Sequence, residues 1–220
     1  MIGTLNEKSL HASLKLYLEQ AGDRFEVPLD GFFIDIVRGG ELIEIQTGSF
    51  NPLKKKLRKL TQKYKVRLVY PIAVGKWIVK DTEPEKRRKS PKRGNVYSLF
   101  EELVYIPDLL NRPNFTLELL LIHQEDTRTF DAKRARRRRK GWVTAERKLI
   151  KVLEHRVFEN TADLLTLIPT PITDPFTTAD LAQNINQPRK IAQQMCYCLR
   201  HLDVIELIGK QGRANLYQFK

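Results

Sequence analysis

The fold of the chain is decided by the stretch Phe32-Phe33-Ile34-Asp35-Ile36-Val37-Arg38-Gly39-Gly40-Glu41-Leu42-Ile43-Glu44-Ile45-Gln46, which predicts a β-hairpin. Two runs rich in β-branched and aromatic residues flank a pair of glycines, and glycine pairs are typical of tight hairpin turns. A turn centred on Gly39-Gly40 is expected to place Asp35 directly opposite Glu44.

The two faces of this hairpin are expected to differ in polarity, because side chains alternate along a strand. One face holds the charged pair together with Phe33, Val37, Leu42 and Gln46. The other face is apolar and is expected to join the core, through Ile34, Ile36, Ile43 and Ile45. Two facing carboxylates repel each other unless a cation lies between them. The pair therefore points to Mg²⁺, with Mn²⁺ as an alternative, or else to a solvated polar face.

The neighbouring segments indicate how the hairpin is built into a sheet. Helical spacing over residues 6–19 precedes a short strand over 25–29. Pro52 opens a basic helix that extends to about residue 63, and an apolar run over 66–74 reads as a buried strand. The expected order is α-β-β-β-α-β, a mixed sheet of the α+β or α/β kind.

This order resembles the PD-(D/E)XK, or restriction-endonuclease-like, nuclease superfamily over roughly residues 5–80. The sequence is also similar to uncharacterised proteins that carry the stretch Glu44-Ile45-Gln46-Thr47-Gly48. The resemblance implies that Asp35 and Glu44 bind Mg²⁺, with the Ile45 carbonyl as a further ligand. It also adds Glu7 to the catalytic group. Bound Mg²⁺ would lower the pKa of a water and stabilise charge on the scissile phosphate.

Gln46 departs from the superfamily pattern, since most members have lysine there. An amide orients a water or a phosphate oxygen but supplies no positive charge. A lysine of the following helix is the expected substitute, and the sequence does not rank Lys54, Lys55 and Lys56.

The charge distribution indicates a polyanionic partner. The formal net charge is +13, and residues 1–140 hold 29 basic and 18 acidic side chains, a surplus of 11. Apolar runs are too short for a membrane span, and the first residues lack signal-peptide features. These patterns favour a cytoplasmic protein, with association with the nucleoid as a variant of that location.

The last 60 residues predict a winged helix. Residues 161–167, 178–184 and 188–201 have helical patterns, and strands over 204–208 and 215–219 follow. The third helix would present polar side chains to a DNA groove or to a protein partner, namely Arg189, Lys190, Gln193, Gln194, Tyr197 and Arg200. Lys210 and Arg213 would lie at the tip of the wing.

Three regions are expected: a nuclease-like domain over 1–130, a basic segment with a connecting helix over 131–160, and the winged helix over 161–220. The first includes a charged loop over 81–95, a helix over 96–110 and a strand over 115–123; the connecting helix is expected over 144–159. Further nucleic-acid contacts are expected from Lys54, Lys55, Lys56, Arg58, Lys59, Arg136, Arg137, Arg138 and Arg139.

Two functions remain in view. The first is a Mg²⁺-dependent endonuclease that hydrolyses DNA phosphodiester bonds, with affinity supplied by the winged helix. The alternative is a non-catalytic DNA-binding or regulatory protein on an inactive nuclease fold. RNA is a less favoured partner, because winged helices usually meet duplex DNA. Double-strand cleavage would call for a homodimer.

Overall fold

The computed structural model describes residues 9–82, 84–131, 141–170 and 172–220. Glu7 and the predicted contacts Arg136, Arg137, Arg138 and Arg139 therefore lie outside the described residues. The first part of the chain forms α1 (Ser9–Leu18), β1 (Arg24–Leu29), β2 (Phe32–Arg38), β3 (Glu41–Ile45), α2 (Lys54–Leu60), β4 (Lys65–Lys80), β5 (Lys86–Lys89), α3 (Phe100–Leu103), β6 (Phe115–Phe130) and β7 (Trp142–Phe158).

These strands form one mixed sheet in the order β1-β2-β3-β4-β6-β7, with β5 paired to β4. The predicted hairpin is confirmed, since β2 and β3 are antiparallel with Ile36 opposite Ile43. Gly39 and Gly40 have φ angles of 52° and 90°, which glycine adopts without a steric penalty. After α2 the chain returns as β4 parallel to β3, so the order α-β-β-β-α-β is present.

Helices cover both faces of the sheet. Leu10 and Leu14 of α1 pack on one face in a small cluster with Ile36, Ile43 and Ile45. The larger core, on the opposite face, lies beneath α2 and α3 and is continuous with the C-terminal helices. The prediction that Ile34 shares a face with Ile36 was wrong, because Ile34 packs in the larger core.

The prediction of a helix over 144–159 was wrong, because this segment forms the long strand β7, which pairs antiparallel with β6. Bulges interrupt the pairing between Leu121 and Ile122 and between His123 and Gln124. They disturb the alternation of the strand, so that Leu149 and Val152 both reach the small cluster with a helix-like spacing of three. Residues 142–158 thus belong to the sheet, and no connecting helix is formed there.

Four other expectations also changed. Part of the predicted loop over 81–95 is strand β5, and the strand expected to end near residue 74 continues to Lys80. The helix expected over 96–110 is broken into 3₁₀ turns around the four-residue α3. The strand expected over 115–123 extends to Phe130. Long strands replace short elements because β4, β6 and β7 pair with one another along most of their length.

The C-terminal part forms α4 (Thr161–Leu165), β8 (Phe176–Thr177), α5 (Thr178–Asn184), α6 (Arg189–His201), β9 (Ile205–Gln211) and β10 (Ala214–Phe219). Its small sheet has the order β8-β10-β9. Thr177 caps α5 by accepting hydrogen bonds from two backbone N–H groups of its first turn. The unit packs against the first part of the chain, where the hydroxyl of Tyr97, in the 3₁₀ turn Val96–Leu99, donates to the Leu167 carbonyl at 3.0 Å. Within the described residues, none of the helices combines the length and apolarity that a bilayer crossing requires.

Gly75 lies at the bulge where β4 shifts its pairing with β6. A Cβ atom there would stand 2.5 Å from Cδ2 of His123, whose ring also packs on Trp77. We expect Gly75→Ala to lower the free energy of unfolding by about 1–3 kcal/mol, because the ring would have to move. Gly209→Ala in β9 is the matched control, as nothing lies within 4 Å of its Cβ position. Equal urea midpoints for the two variants would contradict this reason.

Candidate active site

The candidate site lies where β2 and β3 separate. Their pairing ends at Ile36 and Ile43, and one residue further the Asp35 carboxylate accepts the Ile45 N–H at 2.7 Å. The carboxylate thus takes the place of a backbone carbonyl from the neighbouring strand. The Gln46 N–H donates to the Val69 carbonyl of β4. Because backbone groups of successive residues point to opposite sides of a strand, the N–H and C=O of Ile45 point to the other side of β3, where Asp35 lies.

Asp35 is held in its ionised form. Its Oδ2 lies 3.2 Å from Nε2 of His11, a residue of α1. Burial by itself would raise the pKa of Asp35, but the bonds from His11 and Ile45 and the charge of Lys56 lower it below its ordinary value. Helix α1 is fixed above the sheet by a hydrogen bond of 2.9 Å between the Tyr17 hydroxyl and His155 of β7.

Glu44 has the opposite electrostatic character. It is only 3% exposed, and burial raises the pKa of its carboxyl from 4.5 to about 7, although the charge of Lys56 opposes this shift. The negative charge of Asp35 raises the pKa further, so the two carboxylates are close enough to interact. Glu44 Oε1 lies 2.5 Å from Lys56 Nζ as an ion pair, but the approach is not aligned as a hydrogen bond.

The structure ranks the three candidate lysines of α2. Lys56 enters the site, where its Nζ pairs with Glu44 and donates to the Phe33 carbonyl at 2.5 Å. Lys54 is half-buried and Lys55 exposed, and neither has a described partner at the site. Two other predicted phosphate contacts of α2 already have partners in the fold. Arg58 pairs with Asp108 at 2.7 Å, and Lys59 donates to the Asp30 carbonyl at 2.8 Å.

Gln46 is not directed at this group. Its side-chain amide donates to the Ser49 carbonyl, which stabilises the turn between β3 and α2. Lys56 therefore supplies the positive charge that a lysine at position 46 would bring. His11 and Lys56 are the residues whose place at the site the sequence did not reveal. Neither stands at a motif position, and only the packing of α1 and α2 against the two strands brings them to the carboxylates.

The residues present fit a hydrated divalent cation. Among the described residues no group of three or more His, Cys, Asp or Glu side chains is arranged around a common metal position. Mg²⁺, however, usually binds one or two carboxylates and keeps several waters. Glu44 Oε1 is a buried acceptor whose described partner is the Lys56 ammonium, and a divalent cation would compete with Lys56 for it. Asp35, Glu44 and the Ile45 carbonyl are thus a suitable ligand set for Mg²⁺ and too few for a fully protein-bound metal.

A basic cleft of about 320 Å³ begins beside this group. Thr47, the residue after Gln46, lies in its wall together with the cations Lys76, Lys92, Arg93 and Arg147. Asp126, which is 4% exposed, lies 3.7 Å from Lys76 and offsets part of that charge. A path of positive charge therefore leads away from the carboxylates across the sheet.

The C-terminal residues predicted to contact DNA are mostly on the surface. Arg189, Gln193, Tyr197 and Arg200 form one exposed stripe along α6, and Lys210 and Arg213 are exposed around the turn between β9 and β10. Lys190 is exposed as well and lies 3.6 Å from Glu101. Gln194 differs from the prediction, because its Oε1 is buried.

The raised pKa of Glu44 predicts a pH-dependent stability. The pKa of Glu44 is about 7 in the folded chain, against its ordinary value of 4.5. The contribution of this carboxyl to folding stability is therefore fully present below pH 4.5 and is lost as pH rises through 7. Glu44→Gln cannot ionise, so its stability relative to the wild type should improve by up to about 3 kcal/mol between pH 4 and pH 8. Urea denaturation at both pH values measures this difference. The exposed Glu19→Gln is the control, and a difference independent of pH would contradict the burial of an ionisable Glu44.

Comparison with known proteins extends over nearly the whole chain. A family described as "Domain of unknown function (DUF8091)" matches residues 8–159, from the start of α1 to the end of β7. An uncharacterized protein of Treponema pallidum (strain Nichols) is 31% identical over 224 residues. That alignment covers 99% of this chain and 87% of the relative, and so includes the C-terminal unit. No solved structure matches the chain.

Proposed function

The chain belongs to the DUF8091 family, and we propose that it is a Mg²⁺-dependent nuclease that hydrolyses DNA phosphodiester bonds. One observation carries the proposal. A buried carboxyl with a pKa of about 7 lies beside an ionised Asp35 and Lys56, at the end of β3 where the neighbouring strand departs. Perturbed ionisable groups that share one site are characteristic of catalytic centres.

Each residue has a role in the proposed mechanism. Asp35, Glu44 and the Ile45 carbonyl would hold Mg²⁺, which when bound supplies an activated water and polarises the phosphate. His11 keeps Asp35 ionised and oriented through Oδ2. Lys56, once its pairing with Glu44 is shared with the metal, stabilises negative charge on the phosphate group under attack.

Two charged surfaces support DNA as the substrate. The basic cleft that begins at Thr47 would hold the phosphates that flank the scissile bond. The C-terminal unit has the order of elements of a winged helix, α4-β8-α5-α6-β9-β10, with α6 as the helix that enters the major groove. On this proposal the protein would act in the cytoplasm, in contact with the nucleoid, and cleavage of both strands would require a homodimer.

A non-catalytic DNA-binding protein on the same fold is the second candidate. It is favoured by the ion pair at 2.5 Å between Lys56 and Glu44, since a lysine that neutralises the carboxylate permanently would exclude a metal. The two candidates differ in what a divalent cation does. A catalytic site releases Lys56 when Mg²⁺ binds, whereas a structural ion pair persists.

The proposal is tested by incubating the purified chain with plasmid, single-stranded, branched DNA and RNA in Mg²⁺, Mn²⁺, Ca²⁺ or EDTA. We expect cleavage of DNA in Mg²⁺ or Mn²⁺ and none in EDTA. Because Glu44 must lose its proton to bind the metal, cleavage should increase as pH rises through about 7. Tight DNA binding without cleavage under every condition would favour the non-catalytic protein, and selective cleavage of RNA would overturn the choice of substrate.

A further inference from the structure

Beyond the core, the long strands continue as a separate four-stranded surface. Residues 77–80 of β4 pair with β5 on one side, and residues 76–80 pair with β6 on the other. β7 completes this part of the sheet through its pairing with the second half of β6. We call residues 76–80, 86–89, 124–130 and 142–148 the distal sheet. It contains neither the carboxylates of the candidate active site nor any residue of the C-terminal unit.

One edge of the distal sheet is strongly basic. β5 consists of Lys86, Arg87, Arg88 and Lys89, all exposed, and Arg87 pairs with Glu125 at 2.8 Å. Charged side chains on an edge strand prevent pairing with other chains, and four cations in succession would serve that purpose. Protection of the edge does not account for the aromatic rings that these and other cations of the distal sheet contact.

The first aromatic contact is made by Trp77. The Arg87 guanidinium lies 5.2 Å and the Lys89 ammonium 5.5 Å from its ring centroid. His123 packs against the same indole edge-on at 5.0 Å. The indole thus holds Arg87 and Lys89 in place on one face of β5, whereas Lys86 and Arg88, which pair with Lys80 and Ile78, lie on the opposite face.

The second aromatic contact lies at the far end of the distal sheet. Lys80 Nζ lies 4.4 Å from the ring centroid of Trp142, and Phe130 packs edge-on against the same indole at 5.8 Å. Phe130 is 65% exposed, and its ring lies over Gly141, where a Cβ would come within 2.2 Å of Cε2. The Phe130 ring is therefore largely exposed to solvent, and it fits over residue 141 because glycine has no side chain there.

We propose that one face of the distal sheet binds single-stranded nucleic acid, with phosphates on Lys86 and Arg88 of β5, which lie on the same face as Lys80, and bases against Phe130 and Trp142. Cations and aromatic rings in alternation are what a single strand requires, because its phosphates are accessible and its bases present open faces. A duplex keeps its bases stacked internally and would leave the exposed Phe130 without a partner. The inference rests on the proposed action on nucleic acid, but not on cleavage.

The only two tryptophans of the chain, Trp77 and Trp142, lie in the distal sheet, so intrinsic fluorescence reports on it directly. We expect an oligothymidylate of about 16 nucleotides, added in EDTA, to quench the emission, because bases stack on aromatic side chains. A duplex of the same length should bind this surface more weakly. Trp77→Phe and Trp142→Phe separate the signal beside β5 from the signal beside Phe130.

Charge variants assign the phosphate contacts. Lys86→Gln with Arg88→Gln, the two β5 cations on the Lys80 face, should reduce the slope of log affinity against log salt by about 1.4, since each phosphate contact on a single strand contributes about 0.7. Lys63→Gln with Lys65→Gln removes the same charge at the opposite end of β4 and is the matched control. Phe130→Ser should weaken binding without altering the salt slope. Thermal denaturation of each variant verifies that the fold is retained.

The outcomes separate this inference from the proposed nuclease. Oligonucleotide binding measured by anisotropy without any change in tryptophan emission would overturn the inference, whether or not DNA is cleaved. Equal affinity for the duplex at this surface would also overturn it. Quenching that depends on Lys86 and Arg88, in a chain that cleaves nothing in Mg²⁺, would support the inference and contradict the nuclease.

Discussion

Asp35→Asn is expected to lower Mg²⁺-dependent cleavage of DNA by at least about 10³-fold, and Glu44→Gln by a similar factor. Each change replaces a charged ligand by a neutral amide that binds a hard cation poorly. The fold should tolerate both variants. The amide oxygen of Asn can still accept the Ile45 N–H, and Gln at position 44 removes the cost of burying a charge.

Initial rates on the best substrate, together with calorimetric titration of Mn²⁺, check this prediction. Loss of metal binding together with loss of cleavage locates the metal at this pair. Glu19→Gln, an exposed carboxylate just beyond the end of α1, is the control and should keep the wild-type rate. Wild-type rates in both amide variants would show that the cleaving centre lies elsewhere.

Lys56→Met is expected to lower the rate by about 10²–10³-fold, the usual effect of removing one preorganised group that stabilises charge in the transition state. Methionine keeps the length of the side chain and loses its charge. Lys63→Met, an exposed lysine just beyond the end of α2, is the matched control and should stay within about twofold of the wild type.

A pH profile distinguishes a direct role of Lys56 from a structural one. The charge of Lys56 lowers the pKa of Glu44, so its removal should move that pKa above about 7. The rise of cleavage, and of Mn²⁺ affinity, should then occur at higher pH than in the wild type. An unchanged pH profile with an unchanged rate would contradict a role of Lys56 in cleavage and leave it only as the partner of Glu44.

Much of the candidate site could be predicted from the sequence because the hairpin is a local structure. Its register depends on Gly39 and Gly40 and on the alternation that follows from them. The choice among three consecutive lysines could not be predicted. That choice depends on the rotation of α2 against the sheet, which is fixed by burial of Leu57 and Leu60. His11 is brought to Asp35 in the same way, by the packing of α1.

The long strands show where local patterns fail. When the segment is considered alone, the spacing of three between Leu149 and Val152 indicates a helix. The two residues pair instead with residues of β6 that lie more than 20 positions away in sequence, and this pairing overrides the local helical preference. The bulges in the pairing produce the helix-like spacing. In the same way, pairing with β4 turns the predicted loop at β5 into an edge strand of the distal sheet.

The sequence by itself thus determined the hairpin and its register, the basic character of the chain and the succession of its C-terminal elements. Turn chemistry, alternation and net charge act over a few residues or over the whole composition, and no contact between distant segments is needed to establish them. The tertiary structure decided that Lys56 is the lysine of the site, that Gln46 is turned away from it, and that residues 142–158 form a strand. Each of these depends on which distant surfaces bury one another, and that is settled only when the whole core packs.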